Sequence, residues 1–164
     1  MIDVHKNLFV GDASTCATWQ PASPSRPAMI AAKDPCHVKA VGSRKLAKDH
    51  PEYLSALRGE HHEHLVLNLI DPPVPLFQLA SFQTSLDFLD GWLLGSKPMS
   101  VVIHCNQGLS RAPSIALLWL AKRAKAISSS ESYAAAAKAF LEIYPEYNPG
   151  GGIRTFLAAH WDEI

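Results

Sequence analysis

Val101-Val102-Ile103-His104-Cys105-Asn106-Gln107-Gly108-Leu109-Ser110-Arg111-Ala112-Pro113-Ser114 is the stretch from which the rest of the chain can be read. Its β-branched opening predicts the end of a buried strand. The apolar run Ile115-Ala116-Leu117-Leu118-Trp119-Leu120 predicts a helix starting just beyond Arg111. A short loop joins the two, with a cysteine at one end and an arginine at the other. Strand, tight loop and helix N-terminus together make an anion site. The loop N–H groups and the first free helix amides converge there, and the helix macrodipole favours negative charge. Gly108 lets the loop curl inward without a Cβ clash. Arg111 can offer two parallel N–H bonds to a phosphate or another oxyanion. Asn106, Gln107, Leu109 and Ser110 complete the set of loop amides. Pro113 fits the first helical turn, where its missing N–H is not needed.

Cys105 makes this more than a binding loop. A thiol of ordinary pKa, about 8.5, is only a few per cent thiolate near neutrality, and helix N-termini with nearby cations raise that fraction. A loop built for a dianion also suits a thiolate, so Cys105 is the candidate nucleophile, aimed at a bound phosphorus. The structural alternative is a buried cysteine on a core strand. The pairing with His104, the glycine and the arginine, all in a strand–loop–helix setting, favours the chemical reading.

His104-Cys105-(five residues)-Arg111, written out as HCNQGLSRAPS, resembles the phosphate-binding loop of the cysteine-dependent protein phosphatases. The Gly-x-Ser-Arg ending and the short chain resemble the dual-specificity branch. The similarity runs from about Asn7 to the C-terminus and is loose from Thr15 to His61. The resemblance implies an α/β fold, a small parallel-rich sheet of four to five strands flanked by helices, with the active loop at the strands' C-terminal edge. It also implies roles. Cys105 attacks phosphorus, the amides from Asn106 to Ser110 and the Arg111 guanidinium hold the phosphate, and His104 supports the cysteine. No metal or other cofactor is expected.

Composition bounds these expectations. The 164 residues suit a single domain spanning 1–164, and 48% of them are hydrophobic, enough for a real core. Lysine plus arginine number 15 and aspartate plus glutamate 15, for a formal net charge of zero. That argues against nonspecific nucleic-acid binding, which needs an electrostatic surplus. Cys16, Cys36 and Cys105 show neither metal-ligand nor disulfide-framework spacing, which fits a reducing compartment. Neither a signal core nor a membrane-spanning run is present. The expectation is a cytoplasmic monomer without membrane or nucleic-acid partners, acting on a phosphorylated protein or peptide.

Along the chain, Asn7–Gly11 predicts a strand, the proline- and serine-rich Thr15–Pro27 a loop, and Ala28–Ala32 a short core strand. Lys33–Gly59 is mixed in charge and predicts a solvated connection with one helical turn near Tyr53-Leu54, rather than a substrate-facing basic rim. His61, His62 and His64 read as surface histidines in a polar turn, not metal ligands. Leu65–Ile70 is a near-continuous apolar run, suited to a sheet covered on both faces. Asp71 follows at once in a proline-stiffened loop, at the strand edge where open α/β sheets build their sites. It could be an ordinary turn aspartate. Its place after the strand and its distance upstream of Cys105, which resembles that of the family's general acid, assign it proton transfer. Leu79, Phe82, Leu86, Leu89 and Leu93 predict an amphipathic helix ending near Gly95. Ser128-x-x-Glu131 predicts a capping box, with a helix running through Phe140 and Leu141 to Pro145. Tyr147–Gly152 predicts a turn in which Asn148 is structural, before a last helix lined by Ile153, Phe156, Leu157 and Trp161.

Two features bear on turnover and substrate. Many family members place serine or threonine directly after the arginine, where its hydroxyl helps the thiolate leave. This chain has Ala112, and neither Ser110 nor Ser114 is an assured substitute. Asn106, Gln107 and Leu109 add no positive charge to the loop, which favours phosphoproteins over phosphoinositides. RNA 5′-phosphates and glycan phosphates stay open as substrates. A rhodanese-like sulfur carrier would need neither Asp71 nor this seven-residue loop. A noncatalytic phosphate-binding module would usually lack the nucleophile or the acid.

Overall fold

The computed structural model describes residues 1–18, 28–128 and 130–164. Among these, six strands form one sheet: β1 (Ile2–His5), β2 (Leu8–Gly11), β3 (Ala28–Ile30), β4 (Ser55–Arg58), β5 (His64–Leu67) and β6 (Val101–His104). Their order is β1-β2-β6-β3-β5-β4. The four central strands are parallel, and β1 and β4 close the two edges in antiparallel pairing. Every residue of β6 is buried, as a parallel strand covered on both faces should be. Because β6, β3 and β5 run the same way, the chain leaves all three at one edge of the sheet.

The helices are α1 (Ala13–Thr18), α2 (Val38–Val41), α3 (Leu79–Leu93), α4 (Arg111–Lys122), α5 (Tyr133–Ile143) and α6 (Gly151–Ala159). Every residue of α4 from Ala112 to Ala121 is buried. It packs on β6 and β2, with α3 and α5 on its flanks. Phe82, Leu86, Leu89 and Leu93 face the core from α3, the stripe expected from their spacing. At the far end of these two helices the Trp119 indole donates to Asp90 Oδ1 at 2.9 Å. Arg123 pairs there with Asp87 at 3.1 Å and Asp90 at 3.4 Å.

The sheet is wider than the expected four to five strands. Only Val4 is buried in β1 and only Ala56 in β4, so these short edge strands carry almost no apolar alternation. The Lys33–Gly59 connection therefore holds a strand, besides α2 and an irregular turn at Lys33–His37, instead of one helical turn. β5 stops at Leu67, not Ile70. Asn68 turns away there, its N–H donating to Leu54 O and its side-chain amide to Tyr53 O, both at 2.8 Å. His64 opens β5 rather than lying in the turn before it. α1 occupies the start of the expected loop, and residues 19–27 lie outside those described. The cap of α5 is Ser132, whose hydroxyl accepts from Ala135 N at 3.2 Å, not Ser128. Tyr133, Ala136 and Phe140 set the inward face of that helix, and Ser132 is the residue before the first of them. Trp161 is buried just past α6, its indole donating to Ser130 O at 3.0 Å. Among the described residues, no helix is long and apolar enough to cross a membrane.

Candidate active site

Where β6 ends, the chain curls into the loop 105–110 and enters α4 at Arg111 itself. Cys105, 2% exposed, donates its N–H to Gly11 O at the end of β2, at 3.4 Å. Asn106 O accepts from Ala13 N at 3.2 Å, which ties the loop to the start of α1. Gly108 has φ +74°, and a Cβ there would press on Gly11 O at 3.2 Å. Glycine is therefore required on two counts, backbone angle and close approach. Among the described residues, none of the N–H groups from Asn106 to Ser110 finds a hydrogen-bond partner. They are five donors at the mouth of a helix, the arrangement that binds an anion.

Arg111 reaches across to the neighbouring strand end. Its Nη1 donates to Leu69 O at 3.0 Å, and its Nε is buried without a hydrogen-bond partner. Asp71 Oδ2 lies 4.0 Å from that Nε. The fold thus brings the acid after β5 beside the arginine that opens α4. The two side chains are 25% and 11% exposed, so both remain within reach of solvent.

The loop is gripped from behind by the segment joining α5 to α6. Tyr144 OH donates to Gly108 O at 3.0 Å, and Asn148 N to Leu109 O at 2.9 Å. Gly150 N donates to Ser110 Oγ at 3.0 Å. Below these contacts a hydroxyl chain links Ser114, Tyr147 and Tyr133, each step 3.0 Å. Burial, helped by the Glu146 and Cys105 charges, pushes Tyr144 up to about 12. Burial also raises Tyr147 well above its usual range. Both phenols therefore remain protonated donors at neutral pH. Burial holds His104 down at about 4, against the opposing pull of the Cys105 backbone and Asp12. The imidazole beside the cysteine is neutral, and its Nδ1 has no partner among the described residues.

The acid's setting depends on glycines that sequence reasoning took for a simple turn. A Cβ on Gly150 would run into the Asp71 carboxylate, and one on Gly152 into the Pro72 and Val74 carbonyl oxygens. The loop after β5 therefore rests directly on the start of α6. Three successive glycines opening a helix are poor helix formers, and that misfit was the available signal of close approach. Tyr144 and Tyr147 were missed because a tyrosine near a helix end carries no mark of what it will touch. Asn148 serves through its backbone. His61, His62 and His64 do not assemble: Glu63 accepts from His61 N at 2.8 Å. Among the described residues, no three His, Cys, Asp or Glu side chains gather where a metal could sit.

Strand order, loop and helix arrangement define the fold of the dual-specificity and tyrosine phosphatases. The structure is similar to that of human tyrosine phosphatase-like serine/threonine/tyrosine-interacting protein, with a TM-score of 0.64 and 19% identity over 98% of this chain and 95% of that one. It matches human DUSP28 with a TM-score of 0.64 and 15% identity, over 99% of this chain and 93% of that one. The Yvh1 phosphatase domain from Chaetomium thermophilum gives 0.64 and 18% identity, over 99% and 94% of the two chains. No family model matches the sequence, and no curated protein matches it.

Proposed function

We propose that this chain, as a single domain, is a phosphomonoester hydrolase that acts on phosphoproteins through a cysteinyl-phosphate intermediate. The observation that carries the proposal is the loop from Cys105 to Arg111. Among the described residues it combines five N–H donors without hydrogen-bond partners, a buried guanidinium N–H that makes no hydrogen bond, and a carboxylate 4.0 Å from that N–H. In the first step the Cys105 thiolate attacks phosphorus. The loop amides and Arg111 stabilise the equatorial oxygens, and Asp71 gives its proton to the departing oxygen as the P–O bond breaks. In the second step water attacks phosphorus and passes a proton to Asp71, the S–P bond breaks and inorganic phosphate leaves.

The same variants test both steps. Cys105→Ser should abolish hydrolysis of an aryl phosphate while phosphate or vanadate still binds. Asp71→Asn should slow alkyl phosphates about 10²–10⁴-fold and activated aryl phosphates far less. Retained turnover in the serine variant, or equal losses on both substrates, would overturn the assignments. A noncatalytic phosphate-binding module is the second reading, favoured by the "phosphatase-like" human neighbour. It requires the wild-type protein to bind oxyanions and hydrolyse nothing.

A further inference from the structure

Beside the phosphate loop, on the same edge of the sheet, lies a cavity of about 120 Å³. Lys33, Tyr53, Asn68, Ile70, Leu76 and Gln78 line it. Its position follows from the strand order. Lys33 leaves the end of β3, Ile70 follows β5, and β3 lies between β5 and β6. Leu69 forms the shared wall: its carbonyl oxygen accepts from Arg111 Nη1 at 3.0 Å and from Lys33 N at 3.3 Å.

The chemistry of the cavity is specific. Among the described residues, the Lys33 ammonium is in neither an ion pair nor a hydrogen bond, whereas its neighbour Asp34 is paired with Arg44 at 2.9 Å. The Asn68 amide N–H donates to Tyr53 O, so its carbonyl oxygen is the part left for other contacts. Ile70 and Leu76 are 43% and 69% exposed and form an apolar lip. One uncommitted cation, polar walls and an apolar rim suit a short acidic side chain with an aliphatic stem. The cavity lies where β3 and β5 end, one and two strand spacings from β6 or about 5–10 Å, and an extended peptide advances about 3.3 Å per residue. A peptide with its phosphoresidue over Cys105 would therefore bring a residue two or three positions away to this cavity.

We propose that this cavity is a substrate subsite that accepts a glutamate or aspartate two or three residues from the phosphoresidue, with Lys33 as its counter-ion. The inference rests on the phosphoprotein reading above and narrows it to acidic phosphopeptides.

The test uses phosphotyrosine peptides with neutral flanks and a single glutamate scanned from three residues before to three residues after the phosphoresidue. The wild-type protein should hydrolyse one position of the scan with kcat/KM about five- to tenfold above the all-neutral peptide, the range for a partly shielded ion pair. Lys33→Ala should erase that preference, and Lys33→Glu should transfer it to the peptide with lysine at that position. Turnover of a small aryl phosphate, which cannot reach the cavity, should be unchanged in both variants. No preference in the wild-type protein, or the same preference in Lys33→Ala, overturns the subsite. If the wild-type protein hydrolyses nothing, the phosphatase reading fails. The subsite is then judged by fluorescence-anisotropy binding of the same peptides to wild-type, Lys33→Ala and Lys33→Glu proteins.

Discussion

Ala112 is fully buried directly after Arg111, and both nearby serine hydroxyls already make hydrogen bonds. Ser114 is bonded to Tyr147 OH, and Ser110 accepts from Gly150 N. In the proposed mechanism the thiolate of the second step therefore departs without a neighbouring hydroxyl after the arginine. A hydrogen bond to a charged group is worth about 1.5–3 kcal/mol, or about 10- to 150-fold in rate if fully realised. Rapid mixing with an activated aryl phosphate should release a burst of phenol approaching one per site. Ala112→Ser should shrink the burst and speed the steady phase. Absence of a burst, with no gain in the serine variant, would show that breakdown of the phosphoenzyme does not limit turnover. At this scale the sequence was informative wherever the site is contiguous, as from Cys105 to Arg111. Asp71 was legible because it follows a strand. Tyr144 and Gly150 were not, since their partners lie 36 and 40 positions upstream.

The loop after β5 and the start of α6 meet backbone to backbone, and Gly152 is the point of contact. Gly152→Ala must push the Pro72–Val74 carbonyls outward and carry Asp71 with them. Overpacking of this kind costs about 1–3 kcal/mol, visible as a lower urea midpoint. The functional signature should be selective, with alkyl phosphate turnover falling further than that of activated aryl phosphates. Equal losses, or none, would show that the acid is placed independently of α6. The elements legible in advance were those with a strong period or a continuous apolar run, α3 and α4 above all. β4 was hidden because Ser55, Leu57 and Arg58 face outward or sideways and only Ala56 enters the core. The shift of the α5 cap from Ser128 to Ser132 has a related cause: two serines at similar distance from an apolar face look alike until packing chooses one.

For the molecule as a whole, a neutral imidazole beneath the active loop links stability to pH. His104 is held at about 4 by burial, whereas an unfolded histidine titrates near 6.5. The unfolded chain therefore takes up a proton first as pH falls. The contribution is fully present above the unfolded value and is lost progressively from about pH 6.5 down to about pH 4. Between pH 7.5 and pH 5 this one group should remove about 2 kcal/mol of stability. Urea titrations at the two pH values, on wild-type and His104→Gln proteins, should show the drop in the first and a correspondingly smaller one in the second. Equal drops would assign it to other groups. The order of strands along the chain has a further consequence, for protein synthesis. All six described strands have been translated by His104, but the residues that grip the loop, Tyr144, Asn148 and Gly150, come some 40 codons later. At about 5–20 residues per second that is a wait of several seconds, during which a nascent chain carries Cys105 in an unbraced loop. A ribosome-stalled chain exposed only to residue 143 should fail to retain vanadate, while one exposed past α6 should hold it.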